Sequence, residues 1–111
     1  MGKPKFEITK RVNNEFMFNL KAGNGEIILT SEGYDNKQGC KNGIISVKEN
    51  APEDNNYEKK TASNGKYYFV LKALNNKVIG KSQMYTSTSG RDKGIESVKD
   101  NGPSADTVDL T

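Results

Sequence analysis

The chain repeats itself at an offset of 51 residues. Residues 6–52 align with residues 57–103 without a gap, and 18 of the 47 aligned pairs are identical. The clearest match is between "NGIISVKENAP" and "KGIESVKDNGP". A duplication at a fixed period indicates that each copy is one structural unit, so the fold must be assembled from two equal parts. Continuing the offset predicts a final strand at residues 107–110, the beginning of a third copy that stops there.

Each copy contains a segment typical of a β-strand. Residues 16–20 and 67–71 are rich in aromatic residues, and Phe16, Phe18 and Leu20 share one face of an extended chain. The "GNG" and "NN" sequences that follow supply residues that tolerate positive φ, as a two-residue hairpin turn requires. Three-residue loops at 12–14 and 63–65 are expected before these strands, because that length keeps the apolar residues on one face.

The two-residue turn also fixes a predicted register. It places Leu20 opposite Leu29, Ala22 opposite Ile27 and Lys21 opposite Ile28. This register sends Leu20 and Leu29 to the buried face and Lys21 and Ile28 to the other face.

A helix is expected after the third strand of each copy. Asp35 or Asn36 in the first copy, and Ser87 or Thr88 in the second, can cap its N-terminus, and it ends near residues 49 and 100, before a proline. On this helix Cys40, Gly43, Ile44 and Val47 form one apolar stripe, and the second copy repeats the last three.

The glycines on these stripes suggest a close approach. Gly43 and its counterpart Gly94 weaken a helix by about 1 kcal/mol each, which favours a role in packing the helix closely on the sheet. Ile45 corresponds to Glu96, so this helix position is expected to face solvent.

These elements predict an α+β fold in which residues 1–111 form a single domain. Each repeat is β-β-β-α followed by a further strand, and the repeats share one mainly antiparallel sheet with both helices on one face. We expect the repeats to be related by a pseudo-two-fold axis.

Several segments together resemble the YegP-like family of small bacterial proteins. They are "LKAGNGEIILTSEGY", "GIISVKENAP", "YEKKTASNGKYYFVLKA", "IGKSQMY" and "GIESVKDNG", and they cover nearly the whole chain. The resemblance implies two tandem units in one sheet that exchange their terminal strands, an arrangement that single-copy members build from two subunits. It implies no activity.

The composition argues against an enzyme. The chain has no histidine, and its single cysteine, Cys40, lies on the apolar stripe without a histidine to activate it. The carboxylates lack metal-ligand spacing and the glycine-rich segments join strands rather than opening helices, so no cofactor is predicted. No segment resembles a signal peptide or a membrane span, and we expect a cytoplasmic protein that does not contact membranes.

The sheet face opposite the helices is therefore the candidate interaction face. It is predicted to carry Met17, Asn19, Lys21 and Ile28 of the first copy and Tyr68, Val70, Lys72, Ile79 and Lys81 of the second.

Three interpretations of this face stay open. Its exposed apolar residues can be without function, as single ones often are. The face can bind a protein partner or a second copy of the chain through Met17, Tyr68, Val70 and Ile79. It can also bind single-stranded nucleic acid through Tyr68 and nearby lysines, but the net charge of +3 is small for that function, and we favour a protein partner.

Overall fold

The structure is a computed structural model that describes residues 2–111. The first repeat contains β1 (Lys5–Lys10), β2 (Phe16–Lys21), β3 (Ile27–Thr30) and α1 (Lys37–Asn50). The second contains β4 (Tyr57–Thr61), β5 (Tyr67–Lys72), β6 (Val78–Lys81) and α2 (Thr88–Asn101), and β7 (Asp106–Asp109) follows it. A short 3-10 turn, Asp54–Asn56, joins α1 to β4. No helix within residues 2–111 has the length and apolar character needed to cross a membrane.

All seven strands form one sheet in the order β4-β5-β6-β3-β2-β1-β7. The two repeats meet where β3 and β6 pair, with Thr30 opposite Lys81. Every strand pair is antiparallel except β1 and β7, which are parallel. The last strand thus crosses from the second repeat to the edge of the first. The predicted α+β fold with one mainly antiparallel sheet is confirmed.

Both helices begin at the predicted caps and pack on one face of the sheet. The side chains of Asn36 and Ser87 accept hydrogen bonds from the backbone N–H groups of Gly39 and Gly90, which satisfies one free donor in each first turn. One core cluster joins side chains of both repeats under the helices, and Phe6, Phe18 and Phe69 in it have no exposed surface. Burying each of these rings stabilises the fold by about 1.5–3 kcal/mol.

The glycines on the helix stripes serve the close approach that the sequence predicts. A Cβ atom on Gly43 would overlap the hydroxyl of Tyr34 and lie 3.1 Å from the ring of Phe18. A Cβ atom on Gly94 would meet Tyr85 and Phe69 in the same way. Each helix therefore rests on a tyrosine and a phenylalanine of its own repeat.

The predicted register of the second hairpin of the first repeat is confirmed for Leu20 and Leu29 and wrong for the two pairs next to the turn. The turn has three residues, because the N–H of Ala22 donates to the carbonyl of Glu26, and Lys21 lies opposite Ile27. Leu20 still lies opposite Leu29, so Ile28 is the extra residue of a β-bulge between these pairs. The second repeat has the same bulge, between the pairs Leu71–Gly80 and Lys72–Val78.

Candidate functional site

The face of the sheet opposite the helices, which we call the open face, carries one residue from each of the seven strands in a continuous row. Paired neighbours place them in the order Glu58, Val70, Lys81, Thr30, Asn19, Glu7 and Val108. Both carboxylates lie toward the ends of the row, and Lys81 lies near its centre. Along this row, negatively charged side chains therefore lie toward the edges of the sheet and a positively charged one lies near the middle.

The structure brings most of the predicted face residues together. The predicted residues that alternate with core residues on β2, β5 and β6 are Met17, Lys21, Tyr68, Val70, Lys72 and Lys81. Lys81 is exposed, Val70 is buried and the other four are partly exposed. Val70 is only 5% exposed but lies outside the core cluster, opposite Lys81.

Ile28 and Ile79 lie elsewhere. They are 4% and 6% exposed and belong to the core cluster under the helices. The bulges account for this position, because the extra residue in each of β3 and β6 shifts Ile28 and Ile79 out of the alternation that the sequence suggested. The residue opposite Lys21 is Ile27 instead of Ile28, and Ile27 is 41% exposed.

Each repeat holds one carboxylate of the open face between lysines. Glu7 lies 2.7 Å from the Nζ atom of Lys21, and Glu58 contacts Lys72 and lies 3.3 Å from Lys60. Hydrogen bonds from these lysines lower the pKa of both carboxyl groups, so both are ionised at neutral pH. The lysines nearest the edges of the sheet are thus partly neutralised by the protein itself.

A groove of about 730 Å³ crosses the middle of the open face, beside the junction of the two repeats. The second repeat contributes Lys60, Tyr68 and Lys81 to its lining, and the first contributes Arg11 and Glu15 from the loop between β1 and β2. The Nζ atom of Lys81 lies 4.8 Å from the centre of the Tyr68 ring, within the range of a cation–π interaction. Among residues 2–111, no carboxylate lies within ion-pair distance of Lys81.

The groove breaks the repeat of the sequence. Tyr68 and Lys81 correspond to Met17 and Thr30 in the first repeat, and Arg11 corresponds to Ala62 in the second. A cation over an aromatic ring therefore occurs in only one of the two positions that the duplication offers.

Arg11 and Glu15 were not among the residues predicted for this surface. Both lie on a hairpin loop of the first repeat, whereas the remaining groove residues named above belong to the second. They meet because β3 pairs with β6, and no periodicity within one repeat indicates which strand pairs across the junction.

No group of three or more Cys, Asp or Glu side chains within residues 2–111 is arranged to hold a metal ion. Burial raises the pKa of the Cys40 thiol to about 11, so the thiol is protonated and a poor nucleophile at neutral pH. The open face has a groove with an aromatic ring, apolar side chains and charged side chains of both signs.

Comparisons with known proteins agree with the resemblance found in the sequence. The chain is 56% identical over 106 residues to the UPF0339 protein YegP of Escherichia coli strain K12, which covers 96% of both chains. It is 54% identical to a UPF0339 protein of Shewanella oneidensis, with the same coverage.

Two solved structures share the fold. The solution NMR structure of YegP from E. coli, described as a protein of unknown function, matches with a TM-score of 0.93 at 53% identity and covers 100% of this chain and 96% of that one. The NMR structure of the Shewanella oneidensis UPF0339 protein matches with a TM-score of 0.92 at 52% identity, over 98% of this chain and 92% of that one.

The family model called domain of unknown function DUF1508 matches the chain twice, at residues 12–58 and 62–109. Each match covers most of one sequence repeat and its connection to the next strand. The chain belongs to the DUF1508 family, as a member with two copies of the domain.

Proposed function

We propose that this protein is a non-enzymatic binding module that holds a protein partner in the groove at the centre of its open face. The observation that carries the proposal is the asymmetry of the groove. The ion-paired residues of the open face recur in both repeats, as Glu7 and Glu58 do, but the pair of Tyr68 and Lys81 occurs only once. A binding site needs to be formed in one place only, so a surface pair that occurs in one repeat and not in the other is a candidate for it.

The chemistry of the groove favours a protein over other ligands. Tyr68 and Val78 offer apolar surface next to the ammonium group of Lys81, and aromatic residues beside charged ones are common at the centre of protein interfaces. A carboxylate of the partner can bind Lys81, which has no acidic partner within the described part of the chain.

Charge argues against nucleic acid as the main ligand. Glu15 and Glu32 line the same groove as the cations and would repel phosphate groups. Lys60 and Lys72 are already engaged by Glu58. The cations that remain are too few to follow a phosphate backbone over several nucleotides.

Affinity capture tests the proposal with variants that give the second repeat the residues of the first. The parent protein and a Tyr68→Met/Lys81→Thr variant are used as bait in bacterial lysate, with nucleic acid either kept or digested. We expect the parent to retain a protein that survives nuclease treatment, and the variant to retain at least tenfold less of it. Ile45→Glu, a change at an exposed position on the helix side, is the matched control and should retain the partner fully.

Equal retention by the parent and the Tyr68→Met/Lys81→Thr variant would reject the groove as the binding site. Sedimentation of the purified protein over a range of concentrations separately shows whether the partner is a second copy of the chain.

Single-stranded nucleic acid is the second candidate, on the observation that Lys81 and Tyr68 form a cation next to a stacking surface. A fluorescence titration with oligonucleotides tests it. This function requires binding that tightens as the salt concentration falls and weakens in the Tyr68→Met/Lys81→Thr variant.

We also propose a cytoplasmic location. The support is Cys40, which is buried and is the only cysteine of the chain, so the fold uses no internal disulfide.

A further inference from the structure

Four hairpin loops of the sheet have the same three-residue conformation. In each loop the side chain of an exposed asparagine accepts a hydrogen bond, at 3.0–3.1 Å, from the backbone N–H group two residues later. The residue after the asparagine has a φ between 68° and 86°. The four asparagines are Asn13, Asn24, Asn64 and Asn75.

The residue with positive φ divides these loops into two pairs. It is a glycine after Asn24 and Asn64, and a second asparagine after Asn13 and Asn75. Glycine has no Cβ atom, so the main chain around it can be approached more closely than around asparagine. We call the loops at 23–25 and 63–65 the Asn-Gly loops and those at 12–14 and 74–76 the Asn-Asn loops.

The hydrogen bond to the asparagine side chain prepares that side chain for attack by the main chain. The N–H of Glu26 donates to Oδ1 of Asn24 at 3.0 Å, and the N–H of Lys66 donates to Asn64 at the same distance. Each bond closes a short ring that includes the amide carbon of the asparagine and the backbone nitrogen of the following glycine. The same N–H group stabilises negative charge that develops on Oδ1 during an attack.

We propose that Asn24 and Asn64 are sites at which the protein modifies itself by deamidation. The backbone nitrogen of the following glycine attacks the amide carbon of the side chain, and its proton leaves with Nδ2 as ammonia. The resulting cyclic imide is opened by water at either of its two carbonyl groups. The products are aspartate and isoaspartate, in which the main chain runs through the former side-chain carbonyl, and neither an oxidant nor a reductant is needed.

Two further Asn-Gly pairs lie in helices, where the conformation opposes this reaction. Asn42 precedes Gly43 within α1, Asn101 precedes Gly102 at the end of α2, and both glycines are buried. A helical side chain points toward the N-terminus of its helix, away from the nitrogen of the next residue. The fold is therefore expected to confine deamidation to the Asn-Gly loops.

The hydrogen bonds of the attacking nitrogens reinforce this difference. The N–H of Gly25 donates to the carbonyl of Ala22 at 2.9 Å, and that of Gly102 donates to Val98 at 2.8 Å. Opening the first bond disturbs an exposed loop, whereas opening the second unwinds a buried helix end. Local openings of exposed loops cost far less free energy than openings of packed helices.

The two products are expected to affect the hairpin differently. Aspartate keeps an oxygen that accepts the same backbone N–H group, so the loop is preserved with one more negative charge. Isoaspartate lengthens the main chain of the loop by one carbon atom. In the first Asn-Gly loop this change should break the bond between the N–H of Ala22 and the carbonyl of Glu26, 2.9 Å long in the parent. The modification does not depend on the groove of the open face.

Peptide mapping by mass spectrometry tests the proposal on the intact, folded protein during incubation at mildly alkaline pH. Deamidation raises the mass of a peptide by about 1 Da, and aspartyl and isoaspartyl peptides elute separately. We expect Asn24 and Asn64 to lose their amides at least tenfold faster than the asparagines of the other loops and of the helical pairs. Those slower asparagines are Asn13, Asn75, Asn42 and Asn101.

A loop exchange provides the matched control. Gly25→Asn gives the first Asn-Gly loop the sequence of an Asn-Asn loop, and asparagine already adopts the required positive φ at positions 14 and 76. Deamidation at position 24 is expected to fall at least tenfold in this variant, while deamidation at position 64 is unchanged. In denaturant, where the helices are unfolded, Asn42 and Asn101 should react as fast as Asn24.

Three outcomes would overturn the proposal. The amides of Asn24 and Asn64 could persist as long as those of the Asn-Asn loops. The helical pairs could react equally fast in the folded protein, or Gly25→Asn could leave the rate at position 24 unchanged.

Discussion

At the scale of single residues, the junction of the repeats shows why the two copies are not identical. Leu29 corresponds to Gly80, and a Cβ atom added to Gly80 would lie 2.6 Å from the Cδ2 and Cγ atoms of Leu29. The large residue of one repeat therefore occupies the space that the small residue of the other leaves. Two leucines would overlap at this place, and two glycines would leave a cavity.

This pair predicts a coupling that a double-mutant cycle can measure. Gly80→Ala is expected to lower the free energy of unfolding by about 1–3 kcal/mol, because the core around Leu29 has no room for a methyl group. In a Leu29→Ala background the same change should cost much less, since the space is then free. Denaturant unfolding of the four proteins measures the coupling, and additive costs would contradict the packing described.

Residues of the helix stripes and caps could be predicted from the sequence, whereas Ile28 and Ile79 could not be placed. Gly43 and Gly94 recur at helical spacing beside apolar residues, and that periodicity is enough to assign them to the packed face. The position of Ile28 depends on a hairpin turn of three residues instead of two and on the bulge that follows. Alternation of apolar residues does not reveal a bulge, because one extra residue exchanges the faces of the strand.

At the scale of elements, β7 is the strand with the least side-chain burial. All four of its residues are exposed, and it is held by main-chain pairing with β1 and by the ion pair between Asp109 and Lys37. Hydrogen bonds from Lys37 and Thr111 lower the pKa of the Asp109 carboxyl group well below its ordinary value. β7 is accordingly expected to detach before the rest of the sheet unfolds.

The lowered pKa of Asp109 gives β7 a pH dependence. A carboxyl group whose pKa is lowered by folding stabilises the folded state above the pKa of the unfolded chain, about 3.9, and this contribution is lost as the pH falls below that value. In Lys37→Met, carboxyl NMR titration should show the pKa of Asp109 rising toward 3.9, and the amide of Leu110 should exchange faster than in the parent. An unchanged pKa would show that Lys37 does not hold the strand. Lys66→Met, at an exposed residue of the β4–β5 loop, serves as the control.

The free edge of β4 carries its own protection against unspecific pairing. Lys59 occupies a position where the first repeat has the fully buried Ile8, and a charged residue on the inner face of an edge strand discourages other strands from pairing. Lys59→Ile should therefore make the protein self-associate, with a sedimentation coefficient that rises with concentration more steeply than that of the parent. Lys60→Thr, which copies Thr9 on the other face of the strand, should behave like the parent. Equal sedimentation of the Lys59→Ile variant and the parent would show that Lys59 does not guard the edge.

At the scale of the whole molecule, duplication determines the fold and the differences between the copies determine the surface. The tandem arrangement of strands and helices followed from the repeat in the sequence. The strand order did not, because the pairing of β3 with β6 depends on how the two units dock. The groove of the open face takes residues from both units. For the same reason its residues Tyr68, Val70 and Lys81 could be predicted from the sequence, whereas Arg11 and Glu15 could not.

The proposed interaction face is tested most directly by placing a photo-crosslinking amino acid at position 68 or position 45 of the protein in living bacterial cells. Position 68 lies in the groove of the open face, and position 45 lies on the exposed side of α1. We predict covalent adducts at position 68 that protease removes and nuclease does not, with few or none at position 45. Adducts of equal yield at both positions, or none at position 68, would contradict the assignment of the open face as the site of function.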